Sequence, residues 1–283
     1  MKKRKRITSF ILGISAIFLL AACAGPNLAK QDIVERLDTS TNPKITWGVK
    51  ADTYLFGLYN IGDREIQGFD IDIAKALTEE ITGDAANAEF IEVTSKTRIP
   101  LIKNGNIDAI IATMTISEER MKQVLFSNVY FAAGQSLLVE EDSAIQGVTD
   151  LTSDHTVIAV KGSTSAINIR EHSPEAAIIE LENYSEAFTA MQSGQGDAMT
   201  TDNAILLGII AQNPGYRLAG ETFTDEPYGI AINHGQENFQ NTVNEALATI
   251  VENGTYADVF HKWFPEEDLP DLGWANPNSE RGE

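Results

Sequence analysis

The sequence predicts an α/β protein built from two units, each a mainly parallel sheet flanked by helices. From Ile45 onward, short apolar runs of strand length alternate with amphipathic runs of helical period, the pattern left by parallel strands joined through crossover helices. An extended stretch near residues 135–139 interrupts the alternation, which then begins again, so one sheet is followed by a second. The size agrees: about 220 patterned residues in a chain that is 43% hydrophobic suffice for two cores of ordinary size.

The chain begins with Lys2, Lys3, Arg4, Lys5 and Arg6, followed by an apolar run over 7–22. That run is too short, and too soon followed by small residues, for a membrane span, so 1–22 reads as a signal peptide. It ends in Leu20-Ala21-Ala22-Cys23, which resembles the lipobox of bacterial lipoproteins, where the cysteine is lipidated and becomes the mature N-terminus. The other reading is an ordinary signal peptide followed by a stray cysteine. Cys23 is the only cysteine, so no intrachain disulfide can form and stability must come from the core. Residues 23–43 are polar and weakly patterned, with room for a turn or two of amphipathic helix at Ile33, Val34 and Leu37; they read as a tether that lifts a domain off a membrane.

Ile45–Val49 then reads as a strand. Ile73, Ala74, Leu77 and Ile81 fall at helical spacing behind an expected cap at Asp70. A strand over 88–93 leads to a short helix with Pro100 in its first turn, where a missing N–H does no harm. A strand at 107–111 is followed by a helix from Ser117. In the second unit Thr156–Val160 is a strand, a helix begins near Thr164, and strands at Ala177–Leu181 and 198–201 alternate with helices at 184–193 and 202–211. Residues 228–232 form a second extended crossing, helices at 238–252 and 255–264 finish the fold, and 265–283 is an acidic, proline-containing tail expected to be loosely held.

Charge and motifs exclude several functions. Without the leader, five of the 21 Lys and Arg are lost and all 41 Asp and Glu remain, a formal charge of −25 that repels nucleic acid and anionic headgroups. The four histidines lack metal-ligand spacing, and 194–199 lacks the third glycine of a dinucleotide fingerprint. There is no serine elbow and no His-Glu-x-x-His. Neither cofactor nor metal is expected.

In open α/β sheets, ligands sit beyond the carboxyl ends of strands, where helices begin. Three such junctions carry suitable side chains. In 112–120, Thr113, Thr115 and a capping Ser117 precede Arg120, a cation near the positive end of a helix dipole. A residue that breaks a local rule is a candidate site, though an ion pair with a neighbouring glutamate would also explain it. The turn at 160–165 offers Ser163, Thr164 and backbone N–H groups to an anion. Asp202 closes a strand and opens a helix, where a carboxylate can cap, hold an ammonium group, or both.

These residues lie in stretches of marked likeness to known proteins. "WGVKADTYLFGL", "GFDIDIAKAL", "KTRIPLIKNGNIDAIIATMTISEER", "YSEAFTAMQSGQGDAMTTDNAIL" and "KWF" resemble the amino-acid-binding branch of the periplasmic-type solute-binding proteins of ABC importers, over about Ile45 to Phe264. The resemblance implies a two-lobed periplasmic-binding-protein fold joined by two crossover strands near 130–134 and 226–230. Lobe 1 would hold 44–131 and 229–264, and lobe 2 would hold 132–228. It implies that Arg120 clamps the ligand carboxylate with Thr113 or Thr115, that Thr164 donates to the same carboxylate, and that Asp202 holds the ammonium group. The likeness is closest to members that bind acidic amino acids, in which Lys50, Arg98 and Tyr184 correspond to contacts with the ligand side chain. Tyr54-Leu55 departs from the usual proline-rich turn near the pocket. The resulting expectation is a monomeric, lipid-anchored extracytoplasmic receptor, not an enzyme, that passes glutamate or aspartate to a permease and its ATPase. Glutamine or asparagine is the alternative ligand, and a dehydratase on the same fold is the more distant one.

Overall fold

A computed structural model describes residues 31–272; the leader, Cys23 and the end of the tail lie outside the described residues. The first unit runs α1 (Ile33–Thr39), β1 (Ile45–Val49), a meander of β2 (Asp52–Thr53), β3 (Gly57–Asn60) and β4 (Glu65–Gln67), α2 (Phe69–Thr82), β5 (Ala88–Glu92), α3 (Arg98–Lys103), β6 (Ala109–Ile110), α4 (Glu118–Met121) and β7 (Leu125–Ala133). The second comprises β8 (Gln135–Glu140), β9 (Thr156–Val160), α5 (Ser165–His172), β10 (Ala177–Leu181), α6 (Tyr184–Gln192), β11 (Ala198–Asp202), α7 (Asn203–Gln212) and β12 (Tyr216–Ala219). The chain then returns through β13 (Glu226–Ile232) to α8 (Glu237–Glu252) and α9 (Thr255–Trp263).

Two five-stranded sheets result, ordered β5-β1-β6-β13-β7 and β10-β9-β11-β8-β12. In the first, β1 pairs in parallel with β5 and β6, while β13 runs antiparallel to β6 and β7. In the second, β9 pairs in parallel with β10 and β11, and β8 runs antiparallel to β11 and β12. This is the expected two-lobed α/β architecture. The two crossings lie side by side, with Glu226 opposite Ala133 and Tyr228 opposite Phe131. Phe131 and Tyr228 of the crossings pack with the rings of Phe56, Phe69 and Phe264, with Phe56 and Phe131 5.1 Å apart edge to face. Such clusters add orientation to the burial of large apolar surface.

Three expectations need correction. Asp70 is not a cap: α2 begins a residue earlier, and the buried Asp70 carboxylate accepts from the Thr113 N–H at 3.0 Å and the Tyr130 hydroxyl at 2.9 Å. Those two donors reach it from neighbouring segments, so it serves tertiary structure rather than its own helix. The helix expected from Ser117 is present as the four-residue α4, with Ser117 as its cap. The stretch read as tether includes α1, whose Ile33 and Leu37 are buried; the Ile33 N–H donates to Gln236 Oε1 and Arg36 lies 2.8 Å from Asp108. Two aliphatic side chains one helical turn apart were enough to dock it. The start of the tail is also held, since Leu272 is buried against the main core.

Candidate functional site

Each candidate side chain sits at the cleft end of a strand or at the start of the helix that follows. Lys50 follows β1, Arg98 opens α3, Thr113 and Thr115 follow β6, and Arg120 lies in α4. From the other lobe come Thr164 after β9, Tyr184 at the start of α6, and Asp202 at the end of β11. All of them are buried except the half-buried Thr164. The fold therefore gathers the eight residues selected from the sequence into one enclosed region.

The lobes touch, so the structure is closed. Arg120 spans the cleft, donating from Nη1 to the Thr115 carbonyl at 2.7 Å and from Nη2 to the Gly162 carbonyl at 3.2 Å. The Thr115 and Thr164 hydroxyls lie 3.4 Å apart. Gly162 has a φ of +78°, and a Cβ there would sit 2.9 Å from the Lys96 backbone, so only glycine allows this approach without strain. Lys50 Nζ donates to Ser95 Oγ at 2.9 Å and lies 4.9 Å from the centre of the Tyr184 ring.

Two polar atoms in the enclosure are buried without a partner: Asp202 Oδ1 and Arg98 Nε. Asp202 occupies the cap position of α7 yet makes no cap bond with its side chain; its Oδ2 accepts from the Tyr228 hydroxyl at 2.6 Å. Arg98 donates from Nη1 to the Ala112 carbonyl at 2.7 Å rather than pairing with a nearby glutamate. A buried acceptor and a buried charged donor left unpaired are costly, and a ligand supplying both complements would relieve them.

Burial governs the electrostatics. It pushes the Asp202 and Asp70 carboxyls up to about 7 and the Lys50 ammonium down to about 7. Arg98 is lowered to about 9 by burial, with the Arg120 charge adding to the effect. Arg120 is lowered too, with Asp202 and Glu226 opposing.

Two expected contacts are engaged elsewhere. Thr164 donates to Glu226 Oε2 at 2.8 Å, and Thr113, held at a φ of +47°, donates its hydroxyl proton to the Ala112 carbonyl. Three acids were missed in the sequence. Asp70 looked like a cap. Glu226, which also accepts from Thr224 and Asn168, is buried in the second crossing, where an acid in an apolar strand was the available signal. Asp52, in the short meander, accepts the Tyr184 N–H at 2.7 Å across the cleft.

Residues 45–266 match the model of the bacterial extracellular solute-binding proteins, family 3. The chain is 52% identical over 271 residues to the ABC transporter glutamine-binding protein GlnH of Bacillus subtilis (strain 168), covering 93% of this chain and 98% of that one. It is 51% identical over 245 residues to a glutamine-binding protein of Geobacillus stearothermophilus, covering 82% and 94%. Among solved structures it resembles an ancestral arginine-binding protein bound to glutamine, with a TM-score of 0.74 and 38% identity over 79% of this chain and 98% of that one. A closed two-lobed cleft and a family match spanning both lobes lead to one assignment: the chain belongs to the bacterial extracellular solute-binding proteins, family 3.

Proposed function

We propose that this protein is the receptor of an ABC importer that captures glutamine between its lobes and delivers it to a permease and its ATPase. Arg120 takes the α-carboxylate, Asp202 takes the ammonium group through its free Oδ1, and Arg98 Nε donates to the side-chain carbonyl. Tyr184 and Lys50 close over the side chain, and Thr115 lines the carboxylate end. No bond is made or broken; capture and release follow lobe closure and opening.

The observation that carries the choice of ligand is the balance of buried charge. Among the described residues the buried ionisable groups are Lys50, Arg98 and Arg120 beside Asp70, Asp202 and Glu226, three bases matched by three acids. A zwitterion with a neutral side chain leaves that balance intact. Glutamate would bring one more negative charge into a site where Asp70 and Asp202 already oppose the cations, and an unpaired buried charge is expensive. The acidic ligand expected from Lys50 and Arg98 therefore gives way to the amide. The relatives at 52% and 51% identity, both named for glutamine, support the same choice.

Cys23 is proposed as the lipidated residue that holds the receptor on the extracytoplasmic face. Cys23→Ala should release the protein from the membrane or leave an unprocessed precursor; normal processing with unchanged membrane retention would contradict it. The ligand is tested by thermal stabilisation of the soluble protein across the twenty amino acids, with a parallel assay for turnover. Glutamine should raise the melting temperature most and be recovered unchanged. Stabilisation by none of them, or conversion of glutamine, would overturn the proposal.

A further inference from the structure

Tyr184 is held from two directions. Its side chain belongs to lobe 2, where the hydroxyl accepts from Thr201 Oγ1 at 3.1 Å, beside Asp202 in sequence. Its backbone N–H, the first of α6, donates to Asp52 Oδ2 in the lobe 1 meander at 2.7 Å. The helix has a cap of its own: Asn183 accepts the Glu186 N–H at 2.8 Å. That cap leaves the first N–H of the helix open, as helix starts do. Asp52 fills the opening from the opposite lobe, placing a carboxylate at the positive end of a nine-residue helix. Asp52 Oδ1 meanwhile accepts from Thr53 Oγ1 at 3.1 Å, which steadies the carboxylate on its own lobe.

From this geometry we infer that Asp52 is a closure latch: a positioning residue that touches no ligand, caps α6 across the cleft only when the lobes meet, and so draws Tyr184 down over Lys50. The bond joins residues 132 positions apart, one in the β2–β4 meander of lobe 1 and one opening a helix of lobe 2, so separating the lobes must break it. Its consequence is local as well. Lys50 lies 4.9 Å from the ring that Asp52 fixes, and the Asp52 charge favours the Lys50 ammonium form against burial. The same carboxylate thus supports the lid and the cation beneath it. A latch formed only in the closed state slows opening and leaves encounter with the ligand nearly untouched.

The inference rests on the proposed capture of an amino acid, and the experiment separates the two. Association and dissociation rates of L-glutamine, with L-glutamate in parallel, are measured by stopped-flow intrinsic fluorescence for wild type, Asp52→Ala and Asp52→Asn. Asp52→Ala should speed dissociation of the bound amino acid about tenfold with association changed less than about threefold, because one charge-assisted closed-state bond is lost. Asp52→Asn, which keeps an acceptor oxygen, should recover part of that loss. The ligand-free melting temperature should stay the same in all three. Wild type binding neither amino acid overturns the functional reading and the latch with it. Wild-type binding with unchanged dissociation in Asp52→Ala overturns the latch alone. So does a ligand-free melting temperature that falls as far as the liganded one, since Asp52 would then be structural in both states.

Discussion

Asp202 shows what a single residue can reveal. In the sequence it is either a cap or an ammonium partner, and nothing local decides. In the structure it holds the cap position without capping and keeps one buried oxygen free. Asp202→Asn and Arg120→Met should each weaken glutamine binding by roughly 2–5 kcal/mol, because each strands a ligand charge in a closed cleft. Isothermal titration within threefold of wild type would return Asp202 to a structural role. Asp70 makes a second prediction. Burial raises its carboxyl from 3.8 to about 7, against the bonds from Tyr130 and Thr113. Its folded value lies above its unfolded one, so its contribution to stability is full below about pH 4 and is lost as the pH rises through about 7. The ligand-free melting temperature should fall between pH 5 and pH 7, and Asp70→Asn should flatten that fall. Arg120 and Asp202 drew attention as a cation at a helix start and an acid at a strand end, and Lys50 through the family resemblance; with Arg98, the fold buries all of them. Asp70 and Glu226 were not legible, since an acid in a helix's first turn or beside a proline has an ordinary local explanation.

At the scale of elements, period and length made the parallel strands and their helices legible, from Ile45–Val49 through Thr255–Trp263. The β2–β4 meander escaped because its strands are two to four residues long and carry no apolar run. The amphipathic turns at Ile33 and Leu37 were legible but the docking of α1 was not, since its two buried side chains have meaning only once α8 and the Gln236 side chain are beside them. Leu37→Ala should lower stability by about 2 kcal/mol, the low end for a buried leucine at a core edge, as chemical denaturation would measure. No change would mean that α1 is undocked in solution. Helix α7 marks a further place where the lobes meet. A Cβ at Gly208 would sit 3.1 Å from the Tyr54 carbonyl, whose neighbour Leu55 has a φ of +70°. Gly208→Ala should hold the lobes slightly apart and weaken glutamine binding several-fold while the fold persists; unchanged affinity would show slack at that contact.

Across the whole molecule, the two sheets and their crossings could be read from the alternation, but the closed arrangement could not. Closure depends on Arg120 meeting the Gly162 carbonyl, on Thr115 meeting Thr164, and on Asp52 meeting the Tyr184 N–H, and these pairs lie 42 to 132 residues apart. No local pattern encodes such meetings. The same limit bears on the proposed ligand: the sequence displayed Lys50 and Arg98 as spare cations, whereas the fold sets Asp70 and Glu226 in the same buried group. The most direct test of the account is isothermal titration of the soluble protein with glutamine and with glutamate at pH 7.5. A charge-balanced cleft predicts glutamine tighter by at least about tenfold, which corresponds to about 1.4 kcal/mol. Glutamate binding as tightly as glutamine, or more tightly, would contradict it.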